Sequence, residues 1–215
     1  MSRLYDETHR ALQEEFDSRA LADAVEAATL KSELDNRDGS FIAARDMFFL
    51  STVNAAGQPT VSYKGGDPGF VKVVNPTTLV FPSYDGNGMF LSMGNIDARA
   101  LVGMLFIDLE HPNRLRLHGR ASLHRSHPLA ITYPEAELII EVAVTEVWTN
   151  CPRYVHRYEK IQPSAFVPRE AAETPLAPWK RIDQIQPVLK ASDQVSARAA
   201  GLITAEDYQA MVDAD

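Results

Sequence analysis

The stretch "RLRLHGRASLH", residues 114–124, has the most regular pattern in the chain. Every second residue from Leu115 to Leu123 is apolar or small, and the residues between them are Arg, His or Ser. Because successive side chains of a β-strand point to opposite faces, this pattern predicts a strand with one face on a core. The opposite face of the strand is strongly polar.

Further short, β-prone segments surround this strand. "MFFLSTV" and "TVSYK" predict a hairpin over residues 47–64, and "FVKVV" and "TTLVF" predict a second pair. "ALVGMLFID" is apolar enough to predict burial on both faces. "ELIIEVAVTEVWT" predicts a long strand with Ile140, Val142, Val144 and Trp148 on one side. About six or seven short antiparallel strands favour a barrel or sandwich over alternating βαβ units.

The segments outside the strands are predicted to be helical or extended. Residues 3–34 predict one helical region, which "DNRDGS" (35–40) is expected to end. Beyond residue 150, "QPSAFVPREAAETPLAPWK" predicts an extended surface arm. Two short helices follow the arm. The first helix is predicted to begin after Ser192 as N-cap and to end before Gly201. The second is predicted to begin with a capping box of Thr204 and Asp207.

Composition limits the classes of partner. The 215 residues are 45% hydrophobic and 23% charged, as expected for one sizeable globular domain. A net charge of −8 argues against nucleic acid or an anionic membrane as a main partner, since both require clustered basic residues. No apolar run approaches the roughly 20 residues of a membrane span, and the first residues lack a signal-peptide core. We therefore expect a cytoplasmic protein.

Nucleophilic and metal chemistry have weak support in the sequence. Cys151, the single cysteine, is followed by Pro and then by His156 five residues on, a spacing that does not define a catalytic pair. A loop cysteine is the favoured interpretation. His118, His124 and His127 could converge, but none of the six histidines forms a compact ligand motif. No metal site is predicted.

The glycine-rich stretch "YDGNGMFLSMGNI", residues 84–96, is a candidate anion site. It lacks the dinucleotide fingerprint, yet the N–H groups of a turn and a helix N-terminus can hold a phosphate beside a cation. Lys64 is the candidate cation, and a helix can begin within "MFLSMGNIDARA". On local sequence alone, a plain turn before a short helix is an equally good interpretation.

A family resemblance favours the anion site over the plain turn. The ordered segments "FFLSTVNAAGQPTVSYKGG", "TLVFPSYDGNGMFLSMGNI", "VGMLFID", "RLRLHGRASL" and "NCPRYVHR" resemble the pyridoxamine 5′-phosphate oxidase-like flavoproteins, the FMN-binding split barrels, and their uncharacterised bacterial branch in particular. The resemblance covers about residues 41–160. It implies a mainly β fold with flanking helices, a six-stranded antiparallel split β-barrel, and a homodimer with FMN at the subunit interface. Its implied organisation is an N-terminal helical segment at 1–40, the barrel at 41–160, and a C-terminal arm and helices at 161–215 that pack on the barrel or the partner subunit.

The resemblance also implies which residues hold the flavin and its phosphate. They lie on the second strand, at the end of the fourth strand, in the following loop and at the helix start. These residues are Ser62, Tyr63, Lys64, Phe81, Pro82, Ser83, Asn87, Gly88, Met89 and Ser92, with Asn95 as a further contact. Arg153 and Tyr154, after the last strand, are added as candidate cofactor-binding residues.

Two departures from the family pattern bear on function. Relatives commonly carry a basic residue in the loop, as in G-N-R-M, where this chain has Gly88 in "GNGM". Lys64 or Arg45 could compensate for the lost charge. The acidic ending "EDYQAMVDAD" also lacks the basic substrate-binding segment of true vitamin B6 oxidases.

Two other groups of residues are weighed against plain structural roles. Asn150, Arg153, Tyr154 and His156 could approach a flavin cleft, although packing of Tyr154 and a surface pair of Arg153 explain them equally well. Tyr154 and His156 are the only speculative catalytic groups. The second group, less favoured, could cover the cleft from a partner subunit: Trp179, Lys180 and Arg181.

Two hypotheses follow from the sequence. The first is an FMN-dependent oxidoreductase acting on an unidentified small-molecule substrate, with a deazaflavin or haem as less favoured cofactors. The second is a non-catalytic protein that binds a flavin, haem or another planar ligand for storage or sensing, with His118 or His156 as candidate haem ligands.

Overall fold

The computed structural model describes residues 2–214. The chain divides into two compact units, Met1–Pro163 and Ser164–Asp215. All seven strands lie in the first unit. The predicted three-part organisation, 1–40, 41–160 and 161–215, stays a prediction. No helix among the described residues is long and apolar enough to cross a membrane.

The first unit contains one antiparallel sheet with the strand order β2-β1-β5-β6-β7-β4-β3. The predicted mainly β split barrel with flanking helices is confirmed, with seven strands where six were expected. The short β3 lies at one edge of the sheet. The strands are β1 Met47–Val53, β2 Pro59–Gly65, β3 Lys72–Asn75, β4 Thr78–Ser83, β5 Leu101–Asp108, β6 Asn113–His124 and β7 Leu138–Thr149.

The main core lies on one face of the sheet, and a smaller cluster of Val80, Tyr133 and Ile139 is buried apart from it. The alternation predicted for residues 114–124 is confirmed, because the residues from Leu115 to Ala121 at every second position of β6 are buried. Phe48 is fully buried, with its ring centroid 5.0 Å from that of Phe81 and 5.1 Å from that of Phe106. Burying each such ring contributes about 1.5–3 kcal/mol to stability.

Two details of the predicted strands are wrong. β5 is buried on one face only, and Leu101 on its other face is 51% exposed. In β7 the register against β6 shifts between His118 and Gly119, so that Gly119 pairs with Val144 while His118 pairs with Glu146. The extra residue reverses the alternation. Trp148 therefore faces away from Val144, with its ring centroid 4.8 Å from that of His118.

The N-terminal helical region is also interrupted, contrary to prediction. Its helices are α1 Glu7–Glu15, α2 Arg19–Thr29 and α3 Asn36–Ala43. Asp17 separates the first two helices with a φ of 49°, a left-handed conformation that Asp adopts more readily than most residues. "DNRDGS" begins α3 where it was expected to end a helix, because Asp35 accepts hydrogen bonds from the backbone N–H groups of Arg37 and Asp38.

A single α-helix, α4 (Leu91–Arg99), follows the glycine-rich loop, as predicted. In the second unit, α5 (Ala191–Ala200) begins after Lys190, so the prediction of Ser192 as N-cap is wrong.

The remaining helix ends of the second unit agree with the sequence. Gly201 ends α5 with a φ of 84°. The capping box before α6 (Ala205–Ala214) is confirmed by hydrogen bonds of 3.0 and 3.1 Å between Thr204 and Asp207. The segment predicted as an extended arm ends in a 3₁₀ helix at Pro178–Arg181, where Lys180 is buried and paired with Asp193 at 2.9 Å.

Candidate functional site

A cavity of about 290 Å³ lies between β2, the glycine-rich loop and the first turn of α4. We call it the loop cavity. Its lining includes strand hydroxyls, loop backbone and a lysine, so it combines hydrogen-bond donors with a positive charge. The lining residues are Thr60, Val61, Ser62, Lys64, Ser83, Tyr84, Asp85, Gly86, Asn87, Gly88, Met89, Phe90, Leu91, Ser92, Met93 and Glu137.

Strand alternation decides which β2 side chains reach the core side of the sheet. Lys64 pairs with Phe48, and Phe48 is fully buried, so Ser62 and Lys64 lie on the core side of β2. Tyr63 lies on the opposite face, where its ring packs edge-to-face against Phe49 at 6.2 Å between centroids. Tyr63 does not line the loop cavity, although Val61 on the same face does.

Hydroxyl and amide contacts hold α4 against the β1–β2 hairpin. The Oγ atoms of Ser62 and Ser92 lie 3.0 Å apart. One turn further along α4, Asn95 donates from Nδ2 to the Oγ1 atom of Thr52, which is also 3.0 Å from the Oγ1 atom of Thr60. These contacts position the N-terminus of α4 beside β2.

The loop brings the start of α4 to the cavity through two left-handed residues. Gly88 has a φ of 75° and Phe90 a φ of 48°, and the Oδ1 atom of Asn87 accepts a hydrogen bond from the backbone N–H of Met89 at 3.1 Å. Phe90 is the N-cap of α4 and provides no side-chain cap. The first turn of a helix carries unpaired N–H groups and a partial positive charge. That turn lines the cavity, which places a helix N-terminus in its wall.

Lys64 supplies a full positive charge at the same place. It is partly buried, and burial lowers the pKa of its ammonium group below the usual value. Among the described residues it has no ion-pair or hydrogen-bond partner, although Asp85 and Glu137 also line the cavity and have partners of their own. Since desolvating an unpaired charge is costly, an anion bound beside Lys64 would be stabilised.

The structure brings together seven of the twelve residues predicted to bind a cofactor. Of the other five, Phe81 packs in the core and Pro82 is buried in β4. Arg45, considered as a substitute cation, is paired with Asp108 at 2.6 Å and does not line the cavity. The seven that do line it are Ser62, Lys64, Ser83, Asn87, Gly88, Met89 and Ser92.

The segment after β7 lies apart from the loop cavity. Tyr154 is 87% exposed with a φ of 72°, and the guanidinium of Arg153 lies 5.9 Å from its ring centroid. Neither residue lines the cavity, nor does the exposed Cys151. Among residues 2–214, no group of three His, Cys, Asp or Glu side chains could hold a metal ion.

Sequence reasoning missed nine lining residues. Most flank predicted positions in β2 or in the loop and could have been included by extending those segments. Glu137 could not, because it reaches the site through the pairing of β7 with β4, where its N–H donates to the carbonyl of Ser83 at 2.9 Å. The missed residues are Thr60, Val61, Tyr84, Asp85, Gly86, Phe90, Leu91, Met93 and Glu137.

Comparisons with known proteins agree with the fold. A family model described as pyridoxamine 5′-phosphate oxidase matches residues 37–151, which include the loop cavity. A search of curated proteins found no match.

Several solved structures share part of the fold. HupZ from Group A Streptococcus has 13% identity and a TM-score of 0.45, covering 59% of this chain and all of its own, 100%. An FMN-binding protein from Syntrophomonas wolfei has 11% identity and a TM-score of 0.40, covering 66% of this chain and 96% of its own. HutZ, a haem storage protein from Vibrio cholerae, has 18% identity and a TM-score of 0.39, covering 54% and 93%. At such low TM-scores, none of these similarities assigns a ligand to this chain.

Proposed function

The chain belongs to the pyridoxamine 5′-phosphate oxidase family, and on that premise we propose that its loop cavity binds FMN in a flavin-dependent oxidoreductase. The observation that carries the proposal is the partly buried Lys64, which has no partner among the described residues and lies beside the first turn of α4. This arrangement suits the phosphate of the cofactor. The ammonium group supplies charge, and the helix N-terminus supplies aligned N–H donors.

The hydroxyl groups near Lys64 extend the polar wall. Ser62 and Ser92 are held together by their 3.0 Å contact, and Thr60 lies on the same face of β2. One hydroxyl of the Ser62–Ser92 pair donates to the other, so the pair keeps one O–H donor for a phosphate or ribityl oxygen, without carrying charge. Their fixed positions reduce the entropy lost when the ligand binds.

The volume of the cavity supports a site to which a second chain contributes. About 290 Å³ is at the lower limit of the roughly 300–1,000 Å³ typical of small-molecule pockets. The outer face of the sheet beside it exposes Val61, Tyr63 and Leu101, which are 67%, 61% and 51% exposed. Exposed apolar groups of this kind favour association. We therefore propose a homodimer in which a second copy packs on this face and reaches the cleft beside Val61, which lies on the outer face and also lines the loop cavity.

When bound, the flavin supplies two-electron redox chemistry, while this chain binds it, orients it and excludes water. No described side chain in the loop cavity is assigned as a general acid or base. The substrate is a small molecule.

A second candidate function has one specific observation in its favour. Gly88 provides no charge at the loop position where relatives commonly carry a basic residue, so Lys64 is the one cation lining the cavity within the described residues. A site with reduced charge suits a protein that holds a flavin, a deazaflavin or haem loosely for storage or sensing. In that case the ligand would bind but would not turn over.

The visible spectrum of the purified protein separates these functions. Flavin bands that bleach on addition of NADH or NADPH under anaerobic conditions are expected for the oxidoreductase. Flavin bands that persist with both reductants support storage or sensing, and an intense band near the violet edge indicates haem. A colourless protein that takes up no added FMN would contradict the proposed function.

A further inference from the structure

The first two helices form a hairpin without a buried residue. α1 and α2 are joined by a turn at residues 16–18, and neither helix contains a buried side chain. We call residues 7–29 the N-terminal hairpin. Helices as short as these are marginal in water and depend on packing of an apolar face. The hairpin has exposed apolar side chains that such packing could cover: Leu12, Phe16, Leu21 and Val25.

Contacts along the hairpin and at its turn give it a defined shape. Arg10 of α1 forms an ion pair of 2.7 Å with Asp23 of α2. At the turn, the N–H of Ser18 donates to the carbonyl oxygen of Gln13 at 2.8 Å, and Asp17 has a left-handed φ of 49°. The hairpin therefore presents its apolar side chains in a fixed arrangement.

The tip of the hairpin combines an apolar ring with unpaired acids. Phe16 is 72% exposed, and its neighbours in the sequence, Glu15 and Asp17, are also exposed. Neither carboxylate forms an ion pair with a described residue, whereas the preceding Glu14 pairs with Arg19. A surface that covered this tip would need apolar groups beside basic side chains.

The outer face of the sheet provides that combination. Arg116 and Arg120 of β6 alternate with buried core positions, are exposed, and form no ion pair within residues 2–214. Antiparallel pairing places Leu105 of β5 beside Arg116 and Leu101 of β5 beside Arg120. Because paired residues lie on the same face of a sheet, apolar and basic side chains form adjacent rows there.

The base of the hairpin is attached beside this same face. Glu146 pairs with His118 in the β6–β7 ladder, so its side chain lies on the outer face. Arg3 forms an ion pair of 2.7 Å with Glu146, and the backbone N–H of Arg3 donates to Glu26 of α2 at 2.8 Å. The hairpin thus begins at the outer face, while the exposure of Phe16 shows that its tip does not pack on its own sheet.

We propose that the tip of the N-terminal hairpin packs on the outer face of a second copy of this chain. Phe16 covers Leu101 and Leu105, and the carboxylates of Glu15 and Asp17 meet the guanidinium groups of β6. Charge complementarity favours a second copy as the occupant, since one chain carries both surfaces. Two such contacts related by twofold symmetry close a dimer. The proposed contact rests on the homodimer of the proposed function and names the segment that forms it.

Charge reversal tests the contact through the dissociation constant of the dimer, measured by analytical ultracentrifugation. The hairpin variant carries Glu15→Lys and Asp17→Asn, since Asn tolerates the left-handed conformation. The face variant carries Arg116→Glu and Arg120→Glu. Each variant removes the attraction and should raise the dissociation constant at least about tenfold. The combined variant restores opposite charges, so it should bind about tenfold more tightly than the face variant alone.

A matched control separates the contact from a general effect of charge. Glu33→Lys with Asp97→Asn makes the same change of charge as the hairpin variant, at exposed residues outside the hairpin and the outer face. This control should dimerise as the wild type does. Circular dichroism establishes that each variant is folded.

Cross-linking locates the contact without relying on charge, and it decides the question if a reversal variant does not fold. In a Cys151→Ser background, which removes the single cysteine, Phe16→Cys and Leu101→Cys are purified separately and mixed. A short bismaleimide should link the two proteins into a covalent dimer. Phe16→Cys mixed with Val74→Cys should link far less, because Val74 lies on β3 at the far edge of the sheet.

The outcomes distinguish this contact from the flavin site and from the dimer itself. A dimer that both reversals leave intact, a control that dissociates equally, or a monomeric wild type would overturn the contact. If Leu101→Glu dissociates a dimer that the reversals leave intact, the outer face remains the interface and a different segment covers it. Uptake of FMN is read separately, from the visible spectrum of the wild type.

Discussion

The Oγ atom of Ser62 in β2 lies 3.0 Å from the Oγ atom of Ser92 in α4. This single contact joins the strand that carries Lys64 to the helix whose N-terminus lines the loop cavity. Ser92 is 8% exposed, so its hydroxyl requires a partner inside the protein. The contact therefore couples the stability of the fold to the geometry of the candidate site.

Removal of either hydroxyl should destabilise the fold. Ser62→Ala and Ser92→Ala should each lower the free energy of unfolding by about 1 kcal/mol, because the remaining hydroxyl loses its partner. The double variant should lose little more than one single variant, since the partners disappear together. Urea unfolding of the wild type, the two single variants and the double variant measures this double-mutant cycle. Fully additive losses would show that the two hydroxyls do not interact.

The two glycines of the loop should respond differently to the same substitution. A Cβ atom would meet nothing within 4 Å at either Gly86 or Gly88, so steric space does not distinguish them. Gly88 alone has a left-handed φ, of 75°, which costs roughly 1–2 kcal/mol for a residue with a side chain. Thermal unfolding should therefore show a loss for Gly88→Ala and little change for Gly86→Ala. Equal effects would contradict the loop conformation.

The start of α3 should show a pH-dependent contribution. The hydrogen bond from Lys31 lowers the pKa of Asp35 from 3.8 to about 2, so this carboxylate stabilises the fold fully above pH 3.8 and the contribution is lost as pH falls through about 2. Asp35→Asn keeps a capping oxygen but loses the charge. Because the Lys31–Asp35 pair is half-exposed, we expect Asp35→Asn to lower the free energy of unfolding by less than about 1 kcal/mol at neutral pH.

A comparison of the wild type with Asp35→Asn tests the direction of this pH dependence. The difference in unfolding free energy between the wild type and Asp35→Asn should shrink as the pH falls below 3.8. Asp35→Ala should be less stable than Asp35→Asn by about 1 kcal/mol at neutral pH, since it also loses the cap. A difference that stayed constant between neutral and acid pH would exclude the ionic contribution.

The proposed dimer face can be tested with one charge. Leu101→Glu places a carboxylate on the outer face of the sheet, and we expect it to convert the dimer to a monomer in light scattering after size-exclusion chromatography. Val74→Glu is the matched control, because Val74 is 52% exposed and lies on β3 at the far edge of the sheet. Dissociation by Val74→Glu alone, or a monomeric wild type, would contradict the proposed interface.

Local patterns in the sequence predicted the strands well, because alternation is a property of neighbouring residues. The polar and apolar faces of β6 and the helix after the glycine-rich loop were confirmed. The orientation of Trp148 could not be predicted in this way. A register shift beside Gly119 reverses the faces of β7, and a Cβ at that glycine would lie 2.6 Å from a methyl group of Val142.

The candidate site was predictable where one segment supplies it and not where separate segments meet. The loop and the β2 positions follow from neighbouring residues, whereas Glu137 enters through strand pairing. The break at Asp17 and the start of α3 at Asp35 were missed for another reason. Asp and Asn favour both helix starts and turns, so the residue types do not indicate which one forms.

The central claim concerns the phosphate beside Lys64, and the preference for FMN over riboflavin measures it directly, because riboflavin lacks only that phosphate. Titrations of the wild type should show FMN binding tighter by about one to two decades, the contribution of a charge-assisted hydrogen bond. Lys64→Gln should lose most of this preference, and Lys64→Arg should keep part of it. An unchanged preference in a folded Lys64→Gln variant would contradict the proposed phosphate site.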